Sequence, residues 1–167
     1  MHALTRGIDW ISKVTGRFIT WWTLLAVFII TLEVVLRYVF DRPTNWAHES
    51  MTLIFAMQYI LSGAYAHYTR SHVRVDVLYQ ALSVRNRARL DVLTSLLFFF
   101  YVGIMTWTGW TFFWDSWEMR EVSFTDWGPP LWPVKATVFL GPLLLLLQGL
   151  ANVLRDLVVA ATGREPA

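Results

Sequence analysis

The chain has 167 residues, 56% of them hydrophobic and only 16% charged, where soluble domains carry roughly 25% charged residues. With a mean hydropathy of +0.44, it lacks the polar side chains to cover a water-exposed surface. A net charge of +2 with zero Cys argues against a nucleic-acid partner and removes disulfides, thiolate metal sites and CxxC redox chemistry.

In chain order, Arg6, Lys13 and Arg17 lead into an apolar run over residues 18–40. A signal-peptide core is shorter, and no small-x-small cleavage site follows, so an uncleaved first span is expected. Further apolar runs cover residues 50–68, 92–114 and 131–154. Each approaches or exceeds the roughly 20 helical residues that cross a hydrocarbon core. Helices are required because lipid leaves an open backbone unsatisfied, and the runs lack the period-two alternation of a β-barrel. The expectation is one all-α domain over residues 1–167, an integral membrane four-helix bundle.

Between the second and third runs, Val75, Leu78, Tyr79 and Leu82 recur at helical spacing beside Arg85, Arg87 and Arg89. That pattern predicts a short amphipathic helix over residues 76–82, lying in the membrane interface. Lys and Arg divide unevenly: ten lie in the N-terminal, second-to-third and C-terminal segments, and four (Arg37, Arg42, Arg120, Lys135) on the other side. Both termini are therefore expected in the cytoplasm. The loop before the fourth run carries Asp115, Glu118, Glu121 and Asp126 among Trp110, Trp114, Trp117, Trp127 and Trp132, a pattern suited to the outer aromatic belt.

Glu33 and Arg37 stand one turn apart inside the first run. Ionisable groups in a span are candidates for function, but i,i+4 spacing favours mutual neutralisation, with Arg37 reaching to the headgroups. Gln58, Ser62 and Ala66 share one face of the second run; Gly141, Gln148, Gly149 and Asn152 lie near one face of the fourth. Packing between helices accounts for both sets, and Pro142 is a kink candidate. A haem-binding redox anchor is the alternative class. His48 and His67 fall at opposite ends of one helix, about 28 Å apart at 1.5 Å per residue, and His2 and His72 lie outside the spans. His48 and His67 cannot ligate one iron together, no other span carries a His to pair with either, and no HExxH, GxSxG or nucleotide-binding glycine motif is present. No catalytic residue, cofactor or metal site is expected.

Two segments go further: Asn45-Trp46-Ala47-His48-Glu49 before the second run, and His72-Val73-Arg74-Val75-Asp76-Val77-Leu78 after it. With four spans and this length, the chain resembles the small membrane subunit of tripartite ATP-independent periplasmic (TRAP) transporters, the DctQ-type family. It departs from the common pattern at His48, where a second acidic residue is frequent, and at Gln58 and Tyr59. These departures look more like the branch working with 2-oxo acids or lactate than the C4-dicarboxylate branch. The resemblance implies a bacterial inner-membrane accessory subunit for organic-acid uptake. Its partners would be a large permease subunit, a periplasmic substrate-binding protein and membrane lipids. It also implies structural or subunit-contact roles for Trp46, Glu49, His72, Arg74 and Asp76. Asp76 would cap the interfacial helix, and Glu49 would favour the N-terminal dipole of the second span.

Overall fold

The structure is a computed structural model that describes residues 2–69, 71 and 82–162. Four helices account for almost all of them: α1 (His2–Tyr38), α2 (Ala47–Tyr68), α3 (Val84–Glu118) and α4 (Trp132–Thr162). Among the described residues there is no strand, only one isolated bridge between Val122 and Pro130. The segment expected to form the interfacial helix, like His72, Arg74 and Asp76, lies outside the described residues, apart from Leu82. The Leu82 carbonyl accepts a hydrogen bond from Arg87 Nε at 2.8 Å.

Three helices, α1, α3 and α4, are long and apolar enough to cross a membrane. α2 has 22 residues, about 33 Å of helix. It carries Glu49, Gln58, Ser62, Gly63 and His67, which interrupt its apolar run. It is nonetheless an interior element, packed against both α1 and α4. α4 is the hub: it pairs most extensively with α3, then with α2, and touches α1 more lightly.

What α1 and α3 bury is a narrow seam with a seven-residue period. On α1 the buried positions are Thr5, Ser12, Ile19, Ala26 and Glu33; on α3 they include Ala88, Val102, Gly109 and Ser116. A strict heptad stripe is the geometry of near-parallel helices whose side chains interlock. Most of the seam is small because, in lipid, helices associate through close backbone approach and van der Waals contact. The larger apolar residues point the other way: Trp21, Phe28, Leu97 and Phe100 are all more than 60% exposed.

The connections are short. After α1, Asp41 takes a left-handed conformation (φ 51°) and the Arg42 N–H returns to the Leu36 carbonyl at 2.9 Å. α3 ends in a paired-bond cap, Arg120 N–H to Trp117 O and Glu121 N–H to Ser116 O, with Arg120 at φ 47°, where glycine is usual. Neighbouring helices in the chain run antiparallel, so the start of α1 meets the end of α4.

Gly109 and Gly103, both in α3, separate packing from propensity. A Cβ on Gly109 would lie 2.5 Å from the Val138 carbonyl oxygen, whereas one on Gly103 meets nothing within 4 Å. Gly109→Ala is expected to destabilise the α3–α4 pair by about 1–3 kcal/mol. Gly103→Ala should stabilise by about 0.5–1 kcal/mol, as glycine-to-alanine exchange does in an open helix. Thermal unfolding of the detergent-solubilised protein measures both, and equal shifts for the two would refute the close approach.

Candidate functional site

Most of the polar side-chain contacts between elements gather in clusters at the two ends of the bundle. At the end holding the start of α1, Gln148 of α4 is fully buried. Its Oε1 accepts from Ser12 Oγ at 2.7 Å, and its Nε2 donates to Asp9 Oδ1 at 3.1 Å and Asn152 Oδ1 at 3.4 Å. Arg155, one turn beyond, donates to Asp9 Oδ2 at 2.6 Å and to Asn152 Oδ1 at 3.2 Å. Asn152 Nδ2 then donates to the His67 carbonyl at the end of α2 at 3.3 Å. One network thus ties α1, α2 and α4, and each polar atom of the Gln148 side chain has a partner. The His67 ring stacks on Phe98 of α3, with centroids 4.9 Å apart, which brings in the fourth helix.

At the other end, Glu33 is 4% exposed. Its Oε1 accepts from Nε and Nη2 of Arg37, whose side chain is 48% exposed. Its Oε2 accepts from the N–H of Thr44 at 3.2 Å and from the Thr44 hydroxyl at 2.5 Å. The same hydroxyl oxygen accepts the Ala47 N–H at 3.3 Å. Thr44 therefore caps α2, a task that Trp46 does not perform with its own side chain. The Glu33 carboxylate is fully engaged by groups of its own chain.

Trp46 is half-buried at the start of α2, and Glu49 lies in its first turn. Glu49 Oε2 accepts from the hydroxyl of Thr125, which fastens the loop between α3 and α4 to α2. On that loop Glu121 pairs with Lys135 of α4, whose ammonium lies 4.0 Å from the Phe112 ring centre. Trp117 and Trp132 meet edge to face at 4.9 Å. The structure thus brings Glu33 and Arg37 together, and sets Glu49, in the first turn of α2, apart from them as a loop anchor. His72, Arg74 and Asp76 fall outside the described residues. Thr44, Thr125, Asp9 and Arg155 carry no signal in the sequence that marks them as partners.

Of the histidines at the two ends of α2, His48 is exposed and His67 rests on Phe98. Among the described residues, no three His, Asp or Glu side chains converge as metal ligands would. Within the bundle, Gln58 Nε2 donates to Thr23 Oγ at 2.7 Å, while its Oε1 is buried and unpartnered among the described residues.

An all-helical architecture with long apolar helices and polar groups satisfied at the bundle ends defines an integral membrane protein. The model of the family described as tripartite ATP-independent periplasmic transporters, DctQ component, matches residues 26–159, and the chain belongs to this family, as a small membrane subunit of a TRAP transporter. No curated protein matches the chain closely enough to count as a relative.

Two outcomes follow from these clusters. Arg37→Gln strands a buried carboxylate with only Thr44, and should cost about 1–3 kcal/mol, less than a fully buried pair because Arg37 is half exposed. The double exchange Glu33→Gln with Arg37→Gln should be milder than Arg37→Gln alone; equal losses in thermal unfolding would show the two are not coupled. Lys135 holds the Glu121 carboxyl below its ordinary value of 4.5. A carboxyl depressed by folding stabilises in full above that value and loses its contribution as pH falls through the lower, folded one. Acidification from pH 5 towards pH 3 should therefore loosen the loop, seen as a change in tryptophan fluorescence. Glu121→Gln should flatten that profile, and an unchanged profile would exclude the pair as its source.

Proposed function

We propose that this chain is the non-transporting small subunit of a transporter for organic acids, a fixed scaffold beside a large permease that carries the substrate and sodium sites. A periplasmic binding protein delivers the carboxylate substrate to that assembly. The chain crosses the bacterial inner membrane four times, α2 included, with both termini in the cytoplasm. The membership in the DctQ family carries this reading. Its physical support is that the interior charges are spent inside the chain: Glu33 on Arg37 and Thr44, Asp9 on Arg155 and Gln148. A permeation path needs groups free to replace the hydration of an anion and its coupling cations.

The shortness of α2's apolar stretch is compatible with crossing, since polar groups in a span are tolerated where they face protein. Gln58 faces Thr23 of α1 and so meets that condition. The ten-to-four division of Lys and Arg supports the orientation. Trp46, Glu49, His72, Arg74 and Asp76 serve structural or subunit-contact roles, with the stretch from 76 to 82 as an interfacial helix.

In liposomes with a sodium gradient, the chain alone is expected to give no organic-acid uptake. Addition of the large subunit and the binding protein should restore it. Asp76→Ala should weaken association between the subunits and leave substrate affinity unchanged. Flux through the small subunit alone, or full activity of the permease without it, would overturn the assignment.

A further inference from the structure

A cleft of about 430 Å³ opens between α1 and α2, lined by Lys13, Gly16, Arg17, Thr20, Tyr65 and Tyr68. That volume is within the roughly 300–1,000 Å³ of small-ligand pockets, and no carboxylate lines it among the described residues. The nearest acid along α1, Asp9, is already held by Arg155 at 2.6 Å and Gln148 at 3.1 Å. Arg17 is exposed and makes no ion pair among the described residues. Lys13 Nζ stands 5.2 Å from the centre of the Tyr68 ring, so an aromatic wall orients it without neutralising it. Gly16 lets this wall close in: a Cβ there would sit 2.4 Å from Cγ of Tyr65. The result is a cleft with two positive charges and phenol hydroxyls, with no carboxylate among its described lining residues.

Its depth follows from the helix. Arg17 and Arg37 are 20 residues apart, about 30 Å of α-helix, which is the thickness of a hydrocarbon core. A membrane-crossing α1 therefore places Arg17 at one headgroup layer and Arg37 at the other, with Lys13 one turn further out. From Arg17 inward, Trp21, Leu24 and Phe28 follow along the same face of α1, exposed by 66%, 58% and 65%. Together they form an apolar track leading away from the charges into the core, a geometry that a soluble anion does not need and a lipid does.

We propose that this cleft binds the phosphate of an anionic phospholipid headgroup, held by Lys13 and Arg17 with the Tyr68 hydroxyl as a donor, while one acyl chain lies on the Trp21–Leu24–Phe28 track. Basic recesses between membrane helices take anionic headgroups because each cation near the surface adds attraction in a low-dielectric layer. The site depends only on membrane insertion of α1 and stands whether or not the scaffold role holds.

The full-length protein in a neutral detergent, titrated with phosphatidylglycerol and read by native mass spectrometry, tests it. One lipid should be retained per chain. Arg17→Gln, at an exposed position with no bond to lose among the described residues, should weaken retention about fivefold, and Lys13→Gln with Arg17→Gln more than tenfold. Arg120→Gln, at the opposite end, should leave it unchanged. Phosphatidylcholine, whose phosphate carries its own ammonium, should bind at least tenfold more weakly. Unaltered retention in Arg17→Gln, equal binding of phosphatidylcholine, or displacement of the lipid by inorganic phosphate at matching concentration would each overturn the proposal, the last by assigning the cleft to a soluble anion.

Discussion

The architecture rests on close backbone approach along seams of small residues. In a bilayer the lipid tails are as apolar as leucine, so burying a large hydrophobic side chain between helices yields little. Contact density yields more, and it is greatest where no side chain intervenes. Gly109 lies against the Val138 carbonyl, Gly141 against Ile60 and Gly149 against the Phe98 ring. Because these sites fall on α3 and α4, with Ile60 on α2, they fix how α4 can serve as hub to both. The seven-residue repeat on α1 and α3 keeps the small face turned inward over the length of each helix.

The polar clusters depend on that packing. Gln148 can be fully buried only because Ser12, a small seam residue on α1, faces it and supplies a hydroxyl at 2.7 Å. A larger residue at that position would separate the helices and leave an amide in an apolar surrounding at a cost of about 1–3 kcal/mol. At the opposite end, Glu33 closes the same seam, and Thr44 joins the carboxylate to the first turn of α2. The ends therefore set the axial register of α1 against its neighbours, while the glycines and alanines between them set the distance. Hydrogen bonds between membrane helices average about 0.6 kcal/mol, so their main contribution is registration rather than bulk stability.

This division explains which features could be read from the sequence. Helix number and class follow from the apolar runs and the absence of alternation, and the Glu33–Arg37 contact follows from its i,i+4 spacing. The inward faces of α1 and α3 were not legible in that way. A periodicity search looks for apolar residues facing the core, but Thr5, Ser12 and Ser116 are inside here and Trp21, Leu97 and Phe100 outside. The sense of the pattern is inverted by lipid. Contacts across turns were hidden for a different reason: Thr44 meets Glu33 eleven residues away, and Ser12 meets Gln148 across 136. Hydroxyls and amides have no charge or hydropathy signature that pairs them at a distance. α2 is the intermediate case, since polar groups interrupt its apolar run and yet Gln58 owes its place to Thr23 on α1.

The distribution of satisfied and unsatisfied groups separates the inside of this protein from its surface. Inside, carboxylates, guanidinium and amides are bonded to one another, with the Gln58 carbonyl oxygen as an exception among the described residues. Gln58 Oε1 and Ser116 Oγ, the two buried oxygens without a partner among the described residues, sit on different helices and are too few to stand in for the several ligands that a dehydrated cation requires. At the surface the reverse holds: Lys13 and Arg17 stand on the open flank of α1 without an ion pair among the described residues, beside broad apolar faces. A protein built in this way has little to offer a solute passing through it and much to offer what lies alongside it. In the proposed scaffold role, chemistry that acts on the substrate belongs to a neighbour, and the small subunit fixes where that neighbour and the surrounding lipid sit.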